Sequence, residues 1–487
     1  MQCHTRPAAI KPCEEAVPIL LFILALLMIS GCAGTTTFIA YPDKINPLIA
    51  DLQTRKSIDF THCFLSECKS SDMILYNMER GRIAQIVGNT DASMRDFAAS
   101  MDVIREKEQK AIVSVSDIGA QAASVAVNDN AIPYEGAGYE RVMLHQFQAM
   151  NYLSKNDLEG AGVEIRRANF EQEEALKRHE DELDEARKVA EEKRLENPQQ
   201  VDAIKSQFSQ LDEAAGKVKN SFQNAYTFYL SGFVYELANQ QNDAYIDYKK
   251  ALEIFPENTI LQRDVIRLAM KLEMNRELED LKSRFDPGPA TGEAVTEKNA
   301  GELLVLFEDG FAPQKQEVKI YIPVPRVGLI AAAFPIYRSG WTSARPLLVT
   351  SGKEVVGSTE TICDIRALAV KSLQEKIPAL AIRQTIRAVA KGVAAKRADE
   401  KFGALGFFGA TLWNLVSETA DLRSWITLPE DAQIMRVTLS AGMHKLTLQH
   451  EGSRAEADID VKIKPGGKTI LRVVRAGDVL YNAVLVF

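Results

Sequence analysis

The sequence predicts an α+β protein: a mainly helical N-terminal half, a mixed α/β region behind it, and a small antiparallel, sandwich-like β tail. Three observations carry that expectation. Apolar residues recur at helical spacing from about Pro47 to Phe285. The stretch Asp286-Pro287-Gly288-Pro289-Ala290-Thr291-Gly292 then breaks the pattern. Beyond it, short runs of β-branched residues alternate with turn signals, which is the signature of strands.

Residues 1–31 read as a signal peptide. Val17 to Ile29 is almost wholly apolar, too short for comfortable spanning of the ~30 Å hydrocarbon layer and the right size for the core of an export signal. It ends in Ile29-Ser30-Gly31-Cys32-Ala33, which resembles the bacterial lipobox with Ile29 in place of the commoner leucine. That resemblance implies that Cys32 becomes the lipid-carrying N-terminus, so that the chain's first partner is membrane lipid. Ala33 stands where an aspartate would resemble an inner-membrane retention signal, which favours the outer membrane with the bulk of the protein in the periplasm. The alternative is an uncleaved anchor helix followed by a buried cysteine. Glu14 and Glu15 fit a positively charged leader poorly, so Cys3 and Cys13 belong either to an overextended start or to the removed signal.

The 487-residue chain has a formal charge of -8, and removing Arg6, Lys11, Glu14 and Glu15 with the signal leaves it unchanged. Such a balance gives no electrostatic reason to expect nucleic-acid binding. The remaining length suffices for two or three hydrophobic cores. In an oxidising periplasm Cys63 and Cys68 are expected to pair as a disulfide across Phe64-Leu65-Ser66-Glu67. Free thiols are one alternative. A metal or redox site with His62 is another, though it lacks a fourth ligand and a Cys-x-x-Cys spacing. Cys363 reads as a core cysteine near a strand end.

After a Thr-rich tether (32–46), residues 47–137 form an irregular helical domain. Ile74, Leu75, Met78, Ile83, Ile86 and Val87 recur at helical intervals before Gly88-Asn89 stops the run, and a second stripe covers Met94 to Ile104. Residues 138–285 carry a clearer pattern. Phe228, Gly232, Tyr235, Ala244, Tyr248, Ala251 and Pro256 occupy positions 4, 8, 11, 20, 24, 27 and 32 of a 34-residue unit beginning at Ala225. This is the tetratricopeptide pattern, with Ser231 in place of its leucine. Val142 to Ala175 matches it less completely, and Thr259 to Phe285 reads as a degenerate pair. One unit cannot bury its own face, so at least three stacked pairs are expected. Glu171 to Glu196 interrupts with charges three and four apart, predicting a projecting helical hairpin over 171–222 that turns at Asn197-Pro198 and returns from Val201. Either a partner contact or a solvated spacer fits it.

A linker (286–300) leads to a mixed α/β domain (301–430). Strands are expected at Leu303 to Phe307, Val318 to Ile322, Pro346 to Thr350 and Ser358 to Ile365, with a strand or loop at Val327 to Ile336. Asp364 to Thr419 reads as helix. Its first part carries Arg383, Arg387, Lys391, Lys396 and Arg397, and Phe402 to Val416 is apolar. Such a segment suits an anionic membrane surface, burial on the strand domain, or a second subunit. Residues 431–487 close the chain as an antiparallel β tail.

No segment gives strong warrant for catalytic chemistry. Phosphate-cradling, dinucleotide, nucleophile-elbow and HExxH motifs are missing from the sequence, and no catalytic, cofactor-binding or metal-binding residue is expected. Glu67, Asp72 and Glu79 could be grouped around His62 as an acid-base set, but sequence proximity does not supply the geometry. His145, His179, His444 and His450 are scattered. Glu79 and Arg80 read as an exposed pair or a capping network. Asp421 and Arg423 read as fixing a turn that Trp425 anchors.

Three segments carry a more specific resemblance: DxxLYxxERG at Asp72 to Gly81, GELLVLFEDGFAP at Gly301 to Pro313, and ADLRSWITLP at Ala420 to Pro429. With the lipid signal and the repeat, the chain resembles a poorly characterised family of bacterial tetratricopeptide-containing outer-membrane lipoproteins. The resemblance carries no catalytic residue onto these positions. The functional expectation is a membrane-anchored periplasmic scaffold that binds an envelope protein complex through its helical repeats. Tyr152, Tyr226, Tyr229 and Tyr245 are the candidate partner-contact residues. The rivals are an accessory protein that binds peptidoglycan or another polysaccharide, and a self-assembling homo-oligomer that forms an export or ring component.

Overall fold

Helix-rich N-terminal sequence packs onto a C-terminal mixed α/β region with several sheets, in a coarse α+β architecture. The computed structural model describes residues 40–59, 64, 72–113, 129–192, 208–285, 288, 299–324, 328–338 and 343–487. The signal segment, Cys32 and the Asn197-Pro198 turn lie outside them. The expected Cys63–Cys68 disulfide is corrected: both cysteines lie outside the described residues, no disulfide is present among those described, and Cys363 is a free, buried thiol.

Helix α1 (Tyr41–Gln53) precedes four antiparallel helix pairs. Helices α2 (Met73–Ile86) and α3 (Thr90–Val113) meet at Gly88, whose φ of 83° a side chain would resist. Helices α4 (Gly138–Ser154) and α5 (Leu158–Glu192) turn through Asn156. A short α6 (Asp212–Ala215) follows, then α7 (Ala225–Leu237) and α8 (Gln241–Ile254), then α9 (Thr259–Lys271) and α10 (Asn275–Arg284). The last two pairs turn through left-handed residues, Asn239 and Glu273. Starts, turns and second helices of these two pairs are each offset by thirty-four residues.

Local chemistry fixes where these helices begin and how closely they approach. The Asn224 side chain accepts from the backbone N–H groups of Tyr226 and Thr227, and Asn258 does the same for Leu261, each satisfying otherwise orphaned donors. Gly232 lets α7 lie directly on the Tyr248 ring of α8, since a Cβ there would stand 2.7 Å from ring carbons. The charged 171–222 segment departs from expectation at both ends. Glu171 and Gln172 are buried, with Glu171 accepting from Arg141 at 2.9 Å and Arg178 at 2.6 Å. Phe208, Leu211, Ala215 and Phe222 return into the core. Ion pairs at Glu171 and apolar burial from Phe208 to Phe222, too sparse to see in the periodicity, hold both described ends of this segment to the body.

The C-terminal strands are β1 (Ala300–Asp309), β2 (Gln316–Val324), β3 (Gly328–Ile336), β4 (Leu347–Ser351), β5 (Glu354–Ser358), β6 (Glu360–Asp364), β7 (Asp431–Ser440), β8 (Gly442–His450), β9 (Glu456–Ile463), β10 (Lys468–Ala476) and β11 (Val479–Val486). They form a five-stranded sheet in the order β11-β10-β1-β7-β6, a four-stranded sheet in the order β5-β4-β8-β9, and the hairpin β2-β3. The segment after 431 is therefore no separate antiparallel tail: β10 runs parallel to β1, and β7 pairs antiparallel on its other side. The expected strand over Ser358 to Ile365 is β6, with Ser358 ending β5 in the other sheet and Thr359 at the crossing.

Strand β1 is buried on both faces. Leu303, Val305 and Phe307 join Met435, Val437, Leu471 and Val473 in a core shared with Leu347, Leu446, Leu448 and Val461 of the four-stranded sheet. Leu304 and Leu306 face the other way, into the core built with the helices. Helix α11 (Ile365–Ser417) starts under an Asp364 cap and carries a non-helical residue, Gly403 (φ 66°, ψ -156°).

The close approach at Gly232 is directly testable. Gly232→Ala places a methyl group against the Tyr248 ring and is expected to destabilise the protein by about 1–3 kcal/mol. Urea unfolding of the intact chain reads this, and an unchanged midpoint would contradict the packing described.

Candidate functional site

The three sequence segments singled out above converge on one buried polar junction. Glu302 and Glu308 lie at opposite ends of β1, on the same face as Leu304 and Leu306, which is the face turned towards the helices. Each glutamate is a fixed point for several elements.

Glu308 is fully buried between two guanidinium groups. Arg82 Nη2 of α2 donates to its Oε2 at 2.5 Å, and Arg472 of β10 donates through Nε at 3.1 Å and Nη2 at 2.8 Å. The Tyr226 hydroxyl of α7 adds a bond at 3.0 Å. Burial alone would raise this carboxyl, but Arg472 and Arg82 hold it down at about 2. Arg82 also donates to Gln85 and to the Thr427 carbonyl, and its guanidinium lies 4.1 Å from the centre of the Phe147 ring. Burial lowers Arg82 to about 10, which leaves it charged at neutral pH. Two cations thus share one carboxylate.

Glu302 anchors the other end. Arg436 of β7 and Lys468 of β10 each reach its Oε2 at 2.5 Å, and Arg436 also donates to Glu236 of α7 at 2.6 Å. Arg436 lies 3.0 Å from Asp264 of α9, which accepts from the Tyr229 hydroxyl at 2.9 Å. Burial opposes ionisation of Glu236, yet Arg436, Arg267 and Lys468 hold it at about 2.

Glu79 of α2 does a different job. Its carboxylate accepts from Ile426 N at 2.7 Å, Thr427 N at 3.1 Å, the Tyr41 hydroxyl at 2.9 Å and the Thr427 hydroxyl. It clamps α1 and the Ser424–Thr427 segment to α2. All four donors are neutral, and burial lifts the carboxyl from 4.5 to about 7. The expected Glu79–Arg80 pair is corrected: Glu79 is fully buried and Arg80 binds Asp96 at 2.8 Å. Nearby, Arg423 donates to Asp72 at 2.5 Å and to Asp421 at 2.8 Å, while Trp425 N donates to Glu140 at 2.8 Å. The Trp425 ring meets Phe97 and Phe147 edge-on.

Asp421, Arg423 and Trp425 fall where the sequence places them; the other expected residues do not assemble into a surface. Tyr226 and Tyr229 are fully buried with hydroxyls on Glu308 and Asp264, and Tyr245 is buried with its hydroxyl 3.0 Å from Glu277. These three fill the interior and are removed from partner contact by that burial. Tyr152 is partly exposed, packed beneath Gly160. His62 and Glu67 of the acid-base grouping lie outside the described residues, while Glu79 and Asp72 are engaged as above. Among the described residues no grouping of His, Cys, Asp and Glu could hold a metal ion, and no helix is long and apolar enough to cross a membrane. An open groove of about 450 Å³ lies between Arg55, Lys56 and Tyr481 at the start of β11.

The residues that sequence reasoning missed are the charged ones. Glu302 and Glu308 flank an apolar strand, and Arg82 sits inside an apolar helical stripe. A charge inside an apolar run is the signal that could have found them. What this arrangement does physically is hold: buried ions satisfied by partners from α2, α7, α9, β1, β7 and β10 lock helices and sheet in one register.

Glu308→Ala leaves two buried guanidinium groups without a counter-charge and is expected to cost about 3–5 kcal/mol in unfolding measurements; a loss below 1 kcal/mol would contradict the triad. Glu79 gives a pH dependence of known sign. Its folded pKa lies above its unfolded value, so its contribution is fully present below about 4.5 and is lost as pH rises through about 7. Asp431, raised to about 7 by burial and by Asp309, titrates in the same window, so the wild type must be compared with Glu79→Gln. Between pH 5 and 8 the wild-type Tm should fall more than that of the variant, and parallel Tm curves would refute the assignment.

No family model matches the chain, and neither the curated proteins nor the solved structures contain a match.

Proposed function

We propose that this chain is a membrane-anchored periplasmic scaffold or assembly lipoprotein, held by lipid at Cys32 and binding envelope protein partners through its helical pairs. The thirty-four-residue offset between the α7–α8 and α9–α10 pairs supports a tetratricopeptide-like solenoid as the helical framework. The three convergent segments and the lipobox support membership of the tetratricopeptide-containing lipoprotein family that the sequence resembles.

One observation carries the placement of the partner surface. The first helices of the pairs, α4, α7 and α9, are buried along most of their length, and α7 is bonded to the sheet through Tyr226 and Glu236. The inner face of the helical array, where a concave binding surface was expected, is occupied by the chain's own β1, β7 and β10. Partner binding therefore moves to the outer helices α5 and α8, where Phe170 and Ile246 are 59% and 50% exposed. Large apolar side chains left in water on otherwise charged helices are what an interface core uses.

Affinity purification from gently solubilised membranes tests this. The wild-type protein is expected to retain an envelope complex that is lost with Cys32→Ser or with Phe170→Asp combined with Ile246→Asp, at unchanged Tm. Retention of purified protein by peptidoglycan, with no protein partner, would favour the polysaccharide-binding alternative and overturn the scaffold reading.

A further inference from the structure

Strand β11 is an outer strand of the five-stranded sheet, and no described strand lies beyond it. The Phe487 N–H donates to the Lys468 carbonyl at 2.9 Å, so in this antiparallel register the odd-numbered residues of β11 turn their backbone groups to β10. Leu480, Asn482, Val484 and Val486 turn theirs away. The Leu480 carbonyl accepts from Arg55 Nη2 at 2.8 Å, and that of Val486 from Lys464 Nζ at 3.4 Å. Between these two capped ends, the N–H and C=O groups of Asn482 and Val484 have no partner among the described residues.

Outer strands ordinarily carry something that discourages further pairing. Strand β9, at the edge of the four-stranded sheet, exposes Glu456, Asp458, Asp460 and Lys462. Strand β6 is covered, its Thr361 carbonyl accepting from Asn258 at 2.9 Å. The middle of β11 has neither protection. Val479 to Phe487 contains no charged residue and no proline, and Asn482 and Ala483 are exposed. Beside this strand lies the groove of about 450 Å³, whose lining holds two cations, Arg55 and Lys56, and no acid. Ile58, Val87 and Tyr481 supply its apolar walls. Arg55 is fixed 5.7 Å from the centre of the Tyr481 ring, while the Lys56 side chain is 70% exposed with Asp51 3.7 Å away.

We propose that β11 and this groove bind an extended, acidic peptide segment of another protein, which joins the five-stranded sheet as a further strand and places a carboxylate against Arg55 and Lys56. Backbone bonds to Asn482 and Val484 hold the segment, and its side chain opposite Tyr481 points to the same face as Tyr481, into the groove. Charge selects this occupant. A second copy of β11 has no acid to offer the two cations, and antiparallel pairing brings its Lys464, beside Val486, towards Arg55 and Lys56. The site is separate from Phe170 and Ile246 on α5 and α8, and it stands whether or not Cys32 carries lipid.

The probe is a fluorescently labelled, end-blocked heptapeptide, Val-Thr-Val-Thr-Val-Glu-Thr, whose glutamate falls opposite Tyr481 when its first residue pairs antiparallel with Val486. Anisotropy titration with the intact protein is expected to show saturable binding. Replacing the peptide's glutamate by lysine, or introducing Lys56→Glu into the protein, should weaken it about ten-fold, and the two changes together should restore part of the loss. Val484→Pro removes an N–H that faces away from β10 and should weaken binding by a similar factor. The exposed Lys56→Glu carries the test should the proline variant lower the Tm. Deuterium exchange at the amides of Asn482 and Val484 should slow in the complex. Absence of saturable binding, equal binding of the lysine peptide, or unprotected amides at Asn482 and Val484 would overturn the proposal. So would a protein dimer that Val484→Pro dissociates, because the occupant of the edge would then be a second copy.

Discussion

The double burial of β1 is the constraint on which the rest of the molecule depends. A strand with both faces covered needs a sandwich partner on one side and helices on the other, and its sequence, GELLVLFED, supplies apolar side chains to both. The two glutamates on the helix-facing side cannot be left unpaired in such a place. Each recruits cations, Arg82 of α2 and Arg472 of β10 for Glu308, Arg436 and Lys468 for Glu302, and the last two also bind Glu236 of α7. Apolar burial supplies the attraction between helices and sheet. The ions fix the register in which that attraction is satisfied.

This arrangement changes what the helical pairs can do. An array of stacked helix hairpins ordinarily offers its inner surface to a ligand, because that surface is concave and continuous. Here the inner surface is filled intramolecularly, and the tyrosines that looked like contact residues are hydrogen-bonded into the filling. Exposed apolar side chains are spread over several elements, among them Phe170 and Ile246 on α5 and α8, Met270 on α9, and Val393 and Phe402 on α11. An array built this way keeps its inside for rigidity.

Much of the framework was legible because it is written in short-range signals. The 34-residue spacing placed α7 and α8, Gly88-Asn89 marked the α2–α3 turn, and the Pro/Gly stretch from Asp286 preceded the first strand. What was hidden depends on distant pairing. Nothing local in Lys468–Ala476 announces a parallel partner more than 150 residues earlier, and periodicity alone could not show that the chain changes sheets at Thr359. Glu302 and Glu308 were visible as charges flanking an apolar strand, but their partners come from elements scattered through the whole chain. Tyr226 looked the same in sequence whether it faced a partner or Glu308, since an aromatic with a polar tip serves both.

The account stands on helices and sheet forming one cooperative unit through the β1 junction. Native-state hydrogen exchange on the intact protein addresses this directly, by comparing amides of α7 with those of β1 as denaturant is added. The account requires both sets to open together, at the global unfolding free energy. Exchange of α7 through a separate, lower-energy opening while β1 stays protected would contradict it, and would return the inner face of the helical array to the list of available surfaces.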